Sequence, residues 1–219
     1  MARKAASRTR KATTPKKAAS PVLNLSNVTV NVRYLSWLQP LTPNIRVIAG
    51  ERAPNVLRVP IGDAKRVLRS TIRLVADLPD SNSGRVVWQQ GASELAVRID
   101  QIDITAATGL ITISFPVSCD QLDGEQIVSV PLAVGTDDRP AGLVMSTFTQ
   151  PGGPAIVTAA WSEAIIAFAW EALVHMAQEL CAAVGEDARG YPLVPGSIAA
   201  APNVVMLQPM ARHKLTWRP

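Results

Sequence analysis

Two histidines, two cysteines and a few close pairs of acids are the side chains here best suited to shuttle a proton, attack a carbonyl or hold a metal. Their spacing argues against all three. A nucleophilic triad needs a histidine that reaches both a nucleophile and an orienting acid. His175 falls on the polar side of a long helical pattern, and His213 lies in the basic stretch Met210–Lys214. Cys119 and Cys181 are too far apart to form a CxxC pair, and no Cys or His ligands cluster at zinc-site spacing. Both thiols read as buried apolar groups. Asp100 with Asp103, and Asp137 with Asp138, are the close acid pairs of the central region. Neighbouring strand residues point to opposite faces, and Asp137-Asp138-Arg139-Pro140 has the composition of a turn. Gly152-Gly153 is followed by Pro154 and lacks the lysine of a phosphate-binding loop. The reading is therefore no catalytic residue, no metal ligand and no cofactor, with a non-enzymatic role favoured.

The stronger signal is charge. Arg3, Lys4, Arg8, Arg10, Lys11, Lys16 and Lys17 occur within residues 1–22 without a single acid. Removing these seven from the 22 basic residues leaves 15 against 17 acids, so the remainder of the chain carries −2. The segment consists almost wholly of Ala, Ser, Thr, Pro, Lys and Arg, and after Met1 its first large aliphatic residue is Val22. It cannot offset its ordering entropy by burial, and the expectation is a disordered arm. It lacks the apolar face of a transit peptide and the apolar run of a secretory signal. Cations on a tether suit a polyanion, because each phosphate neutralised releases counterions without requiring a fixed geometry. With no aromatic residue to stack on bases, the arm would read charge and not sequence. A solubilising or nuclear-import tail is the plainer reading of the same residues.

Around these residues the pattern is mainly β. Val28, Val30, Val32 and Tyr34 alternate with polar neighbours, and short apolar runs follow at Ile45–Ala49 and Val56–Val59. Asp63–Leu78 fits two descriptions. A helix would place Val67, Leu68, Thr71, Ile72 and Val75 on one side and Lys65, Arg66, Arg69 and Arg73 on the other. A strand would alternate Ile72, Leu74 and Ala76. Leu95, Val97 and Ile99 alternate, as do Ile111, Ile113, Phe115 and Val117, and then Val128, Val130, Leu132 and Val134 beyond the Asp123-Gly124 hairpin signal. Pro116 and Pro131 each remove a ladder donor, which points to edges or bulges.

After the break at Gln150–Pro154, residues 156–184 read as a helix closed by Gly185. Ile165, Ile166, Ala169, Leu173, Met176, Leu180 and Val184 share one face, with Trp161, Phe168 and Trp170 at its borders. Glu163, Glu171, His175, Gln178 and Glu179 share the other. The recurring acids leave no clean apolar window for a membrane span. Pro192, Pro195, Pro202 and Pro209 then mark an extended segment with a short β-like stretch at Val204–Leu207.

The expected fold class is α+β: a β-rich body of antiparallel hairpins, with a sandwich as one way to arrange them, one long amphipathic helix near the C-terminus, and a disordered basic N-terminal arm. The domain plan is an arm over 1–22 and one globular domain over 23–219. That domain is mainly β over 23–150, helical over 155–185 and Pro-rich and extended over 186–219. A basic arm rich in Arg, Lys, Ala, Ser, Thr and Pro, joined to a β-rich body low in charge, resembles the coat proteins of small icosahedral viruses. The resemblance rests on architecture and residues 1–22. It implies an arm that faces packaged nucleic acid and a body that tiles a shell of like copies, in a virion or the cytoplasm, with the nucleus also open to it. The family's usual eight-stranded jelly roll has no counterpart of the long helix. Two other function classes stand beside this one: a nucleic-acid-associated protein that holds DNA by the arm and a partner by the body, and an enzyme of unrecognised type.

Overall fold

The computed structural model describes residues 22–24, 56–75, 84–138 and 150–211. In chain order the elements are β1 (Val22–Asn24), β2 (Leu57–Pro60), α1 (Ile61–Val75), β3 (Arg85–Gln90), β4 (Ser93–Arg98), a 3-10 turn (Ile99–Gln101), β5 (Asp103–Ala107), β6 (Leu110–Ser118), β7 (Gln126–Ala133), α2 (Ala155–Ala182), β8 (Val194–Ala201) and β9 (Val204–Met210). The protein is an α+β protein of antiparallel hairpins with one long helix near its C-terminus. The arm cations Arg3 to Lys17, the expected strands at 28–34 and 45–49, and His213 lie outside the described residues.

Alternation sets the larger sheet. Ile111, Ile113, Phe115 and Val117 of β6 are fully buried, and Val128, Val130 and Leu132 of β7 join the same core. These strands pair antiparallel from Leu110↔Ala133 to Val117↔Gln126. On the other side of β6 lie β5 and β4 in tandem, with β3 beyond β4 and β1 parallel to β3 at the edge. Val22 stands opposite Val87 at this edge.

Pro116 and Pro131 fall where no ladder bond is lost. Ser129 exchanges two backbone hydrogen bonds with Gly152, at 2.9 and 2.8 Å, so its polar groups point away from β6. The period of two carries the same outward direction to Pro131, and across the pair to Pro116 opposite Ile127. Pro116 thus faces the gap between β5, whose pairing stops at Ser114, and β4, whose pairing starts at Val117. A Cβ at Gly152 would sit 2.7 Å from Ser129 Oγ, so a larger residue there would require the Ser129 side chain to shift where this loop covers the β7 edge.

The ambiguous segment is helical. Ala64, Leu68, Thr71 and Ile72 are buried at helical spacing, Asp63 lies in the first turn and Arg73 in the last, complementing the helix dipole. Residues 76–78 of that expectation lie outside the described residues.

The long helix differs from its expected phasing. Ile165, Ala169, Leu173 and Met176 are buried as their spacing implies, but so are Trp161, Phe168 and Trp170, which were expected at the borders. Four consecutive residues, Ala167 to Trp170, are buried, so the middle of α2 is enclosed on nearly all sides and is amphipathic only toward its ends. Val184, expected on the apolar face, is 54% exposed beyond the helix end. The helix packs against α1 and strands of both sheets. Phe168 meets Trp88 and Phe115 edge to face with ring centroids 5.2 Å apart in both cases. Pairs of this kind contribute about 0.5–1.5 kcal/mol beyond area burial. By length and composition α2 is apolar enough to cross a membrane, and half of that window is buried within the fold, where its side chains belong to the common core.

Residues 194–210 depart most from expectation. They form a hairpin, β8 with β9, that joins β2 in a three-stranded sheet. Pro195 and Pro209 stand opposite one another at the open end, beside a register shift between Pro195 and Ser197. Pro202 occupies the tight turn with Asn203 at φ 61°, a conformation that asparagine tolerates. The prolines therefore mark the hairpin's ends and turn. Pro195 to Ala200 and Val205 to Gln208 are buried. The two sheets are stitched by backbone bonds from Gly109 to Ala200 and between Gly135 and both Ile198 and Ala200.

Candidate functional site

A set of titratable side chains gathers where the strand formed by β4 and β5 is interrupted. Val97 pairs with Val117 and Asp103 with Ser114, so residues 98–102 oppose only Phe115 and Pro116. The excess backbone closes into the 3-10 turn. Gly84 O accepts hydrogen bonds from Ile99 N and Asp100 N, at 2.8 and 3.3 Å. Gly84 has φ +70°, and a Cβ there would lie 2.4 Å from Asp100 Cβ. This position requires glycine on both counts.

The turn brings Arg98 and Asp100 together. Arg98 Nε and Nη2 donate to the two carboxylate oxygens of Asp100, each at 2.9 Å, while Nη1 donates to Glu125 at 3.1 Å. The Arg98 hydrogen bonds hold the Asp100 carboxyl below its usual pKa against the opposing effect of desolvation, and the Arg98 guanidinium is raised in turn. Asp103 turns instead to Lys65 of α1, at 2.8 Å. Asp100 and Asp103 therefore share no proton. Each neutralises its own cation.

Helix α1 presents its basic side to this same break. Beside the Lys65–Asp103 pair, Arg69 Nε donates to Ile102 O at 2.9 Å, and Arg73 contributes to lowering the Asp100 pKa. Arg66 pairs with Asp63 on its own helix. The basic face read from the sequence thus fastens α1 to the sheet and to itself.

The remaining candidates are dispersed. Arg58 Nη2 lies 2.7 and 2.6 Å from the two oxygens of Asp137, while Asp138 is exposed. His175 is exposed on α2, with Glu171 and Glu179 one turn away on either side. Desolvation raises the pKa of the half-buried Glu171 carboxyl, and His175 opposes the rise. Glu171 was expected on a solvated face, and its partial burial follows from the enclosure of α2. The Cys181 thiol is buried and its pKa is pushed up to about 12, which makes it a poor nucleophile, and Cys119 is a free, half-buried thiol. Among the described residues no three His, Cys, Asp or Glu side chains form a metal-binding group.

The sequence reading missed the Arg98–Asp100 clamp. Its signal was the spacing of two, which keeps side chains on one face of a strand. It also missed the rigid loop around Asp187, signalled by an aspartate three residues before Gly190.

The clamp supports a pH prediction. A carboxylate depressed in the folded state stabilises the fold above its unfolded pKa of about 3.9, and that stabilisation is lost as pH falls through the lower folded value. Asp100→Asn should therefore lower the melting temperature at pH 7, and the gap from the parent should narrow below about pH 4. A gap independent of pH would show that the clamp's charge contributes nothing.

Acidic side chains outnumber basic ones among the described residues, and half of the cations there, Arg58, Lys65, Arg66 and Arg98, form ion pairs. No family model matches the chain, and no curated protein or solved structure is found to be similar to it.

Proposed function

We propose that this protein is a non-enzymatic structural subunit that assembles with copies of itself, and that Arg3, Lys4, Arg8, Arg10, Lys11, Lys16 and Lys17 hold nucleic acid without sequence preference. The observation that carries this reading is the division of charge. The arm has seven cations and no acid, whereas the cations of α1, the other basic stretch considered, are engaged in structural contacts. A polyanion attracted to the chain meets its strongest potential at the arm. Assembly is supported by the coat-like combination of such an arm with a β-rich body, and by apolar side chains exposed at several points of that body.

The test is a titration of the full chain against a single-stranded oligonucleotide over a range of salt. If seven cations engage a single strand, log affinity falls with log salt at a slope of about −5, from roughly 0.7 per contact. A slope near zero, or a preference for one sequence over a scrambled one of the same composition, would contradict the assignment.

A further inference from the structure

The turn between β6 and β7 holds a reactive pair that neither assembly nor nucleic-acid binding uses. Asp123-Gly124 is the one place in the chain where an aspartate or asparagine precedes a glycine. An aspartyl carboxyl can close a five-membered ring with the main-chain nitrogen that follows it. Closure depends on how far the next side chain shields that nitrogen, how firmly partners hold the carboxyl, and how freely the backbone rotates. A following glycine removes the shield and eases the rotation.

The turn leaves this pair open. Asp123 to Ile127 are all exposed. Gly124 has φ +79°, and beyond its chain neighbours no atom lies within 4 Å of the position a Cβ would take. Among the described residues the Asp123 carboxylate forms no ion pair, and the contact made at this residue is Gln126 Nε2 donating to its backbone oxygen at 3.4 Å. Gly124 N donates to Leu122 O at 3.0 Å, a bond within the turn that can open without breaking the β6–β7 ladder, which ends at Val117↔Gln126. Other aspartates are held. Arg98, Lys65 and Arg58 engage Asp100, Asp103 and Asp137, and two backbone N–H groups engage Asp187. Asp120 is exposed like Asp123 but is followed by Gln121, which makes it the internal comparison.

We propose that Asp123 is a site of spontaneous isomerisation to isoaspartate. The Gly124 nitrogen bonds to Cγ of the protonated Asp123 carboxyl, and the nitrogen's proton leaves with the carboxyl hydroxyl as water. The cyclic imide then takes up water. Opening at the side-chain carbonyl restores aspartate, whereas opening at the main-chain carbonyl routes the backbone through the former side chain. Water is the only co-reactant. The product lengthens the turn by one methylene and displaces Glu125, two residues on, whose carboxylate accepts from Arg98 Nη1 at 3.1 Å. Isomerisation thus detaches Glu125 from the clamp and leaves the Arg98–Asp100 pair in place.

The experiment incubates the full chain for several weeks at pH 7.4 and 37 °C in water enriched in heavy oxygen. Peptides are then mapped by mass spectrometry, and isoaspartate is measured by enzymatic carboxyl methylation. The expected result is an isomeric peptide containing residue 123 that carries one solvent oxygen, with no counterpart at Asp120. Gly124→Ala should slow its appearance by at least about tenfold, because a Cβ shields the attacking nitrogen. That variant also strains a turn whose φ is positive, so Asp123→Glu is the second. It keeps the charge and the glycine but needs a six-membered ring, and it should yield no isomer. Asp123→Asn should convert faster than the parent, losing ammonia in place of water. An aged parent without isoaspartate at 123, or Asp120 converting as fast as Asp123, would overturn the proposal. So would an Asp123→Asn chain that stays intact, since the folded turn would then hold nitrogen and carbonyl apart.

Discussion

Leu173→Asp should leave no cooperative unfolding transition at 25 °C. Leu173 is fully buried in the enclosed part of α2, between buried Ala169, Ala172, Met176 and Ala177. Truncating a buried leucine alone costs about 2–5 kcal/mol. Placing an unpaired carboxylate in the space adds several more, or forces it to be protonated. Against a total of about 5–15 kcal/mol for a domain of ordinary stability, little or nothing remains. The contrast is Glu171→Gln, two residues away. Desolvation raises the Glu171 pKa, so its charged form is disfavoured in the fold and native stability gains as pH falls through the raised value. Removing the charge should leave the melting temperature at pH 7 unchanged or slightly higher. Circular dichroism with heating distinguishes the two variants, and equal effects from both would show that the helix is wrongly placed in the core.

Deleting residues 2–20 should abolish nucleic-acid binding while leaving the melting temperature of the body within a few degrees of the parent. The segment contains all seven arm cations and, after Met1, no large aliphatic side chain that could belong to the core. With an intact-chain slope of about −5, losing all the phosphate contacts removes several decades of affinity at low salt. Reversing Lys65, Arg66, Arg69 and Arg73 together is a poor control, because it would break the Lys65–Asp103 pair and the Arg69–Ile102 contact and so loosen α1. Reversing Arg66 alone is cleaner, since its side chain is 79% exposed and its partner Asp63 lies on the same helix. Binding that survives arm deletion would move the nucleic-acid surface to the body.

The strands that pair as hairpins were legible because one face is buried and the other is not. Ile111, Ile113, Phe115 and Val117 announce β6, and Asp123-Gly124 announces the turn that follows. The same rule fails where both sides are covered. In α2 the alanines at 167, 169 and 172 carry no phase information, so the enclosure of Phe168 and Trp170 could not be read from spacing. In β8 the run Ser197–Ala201 is mostly alanine, with Ile198 its one β-branched residue, and the prolines around it masked the hairpin. Helix α1 stayed ambiguous because its decisive contacts, Lys65 to Asp103 and Arg69 to Ile102, depend on a strand break more than thirty residues away. Of the candidate site, the separation of acids from a shared proton was legible in outline, whereas their cation partners were tertiary facts.

The central claim is that the chain assembles with itself and that nucleic acid joins through the arm. Its most direct test is light scattering, with electron microscopy of the same samples, on the purified full-length chain over a range of concentration, with and without single-stranded nucleic acid. The account predicts particles of many copies that grow with concentration, and that form at lower concentration when nucleic acid is added at low salt. A species that stays monomeric at every concentration, with nucleic acid as without it, would contradict it.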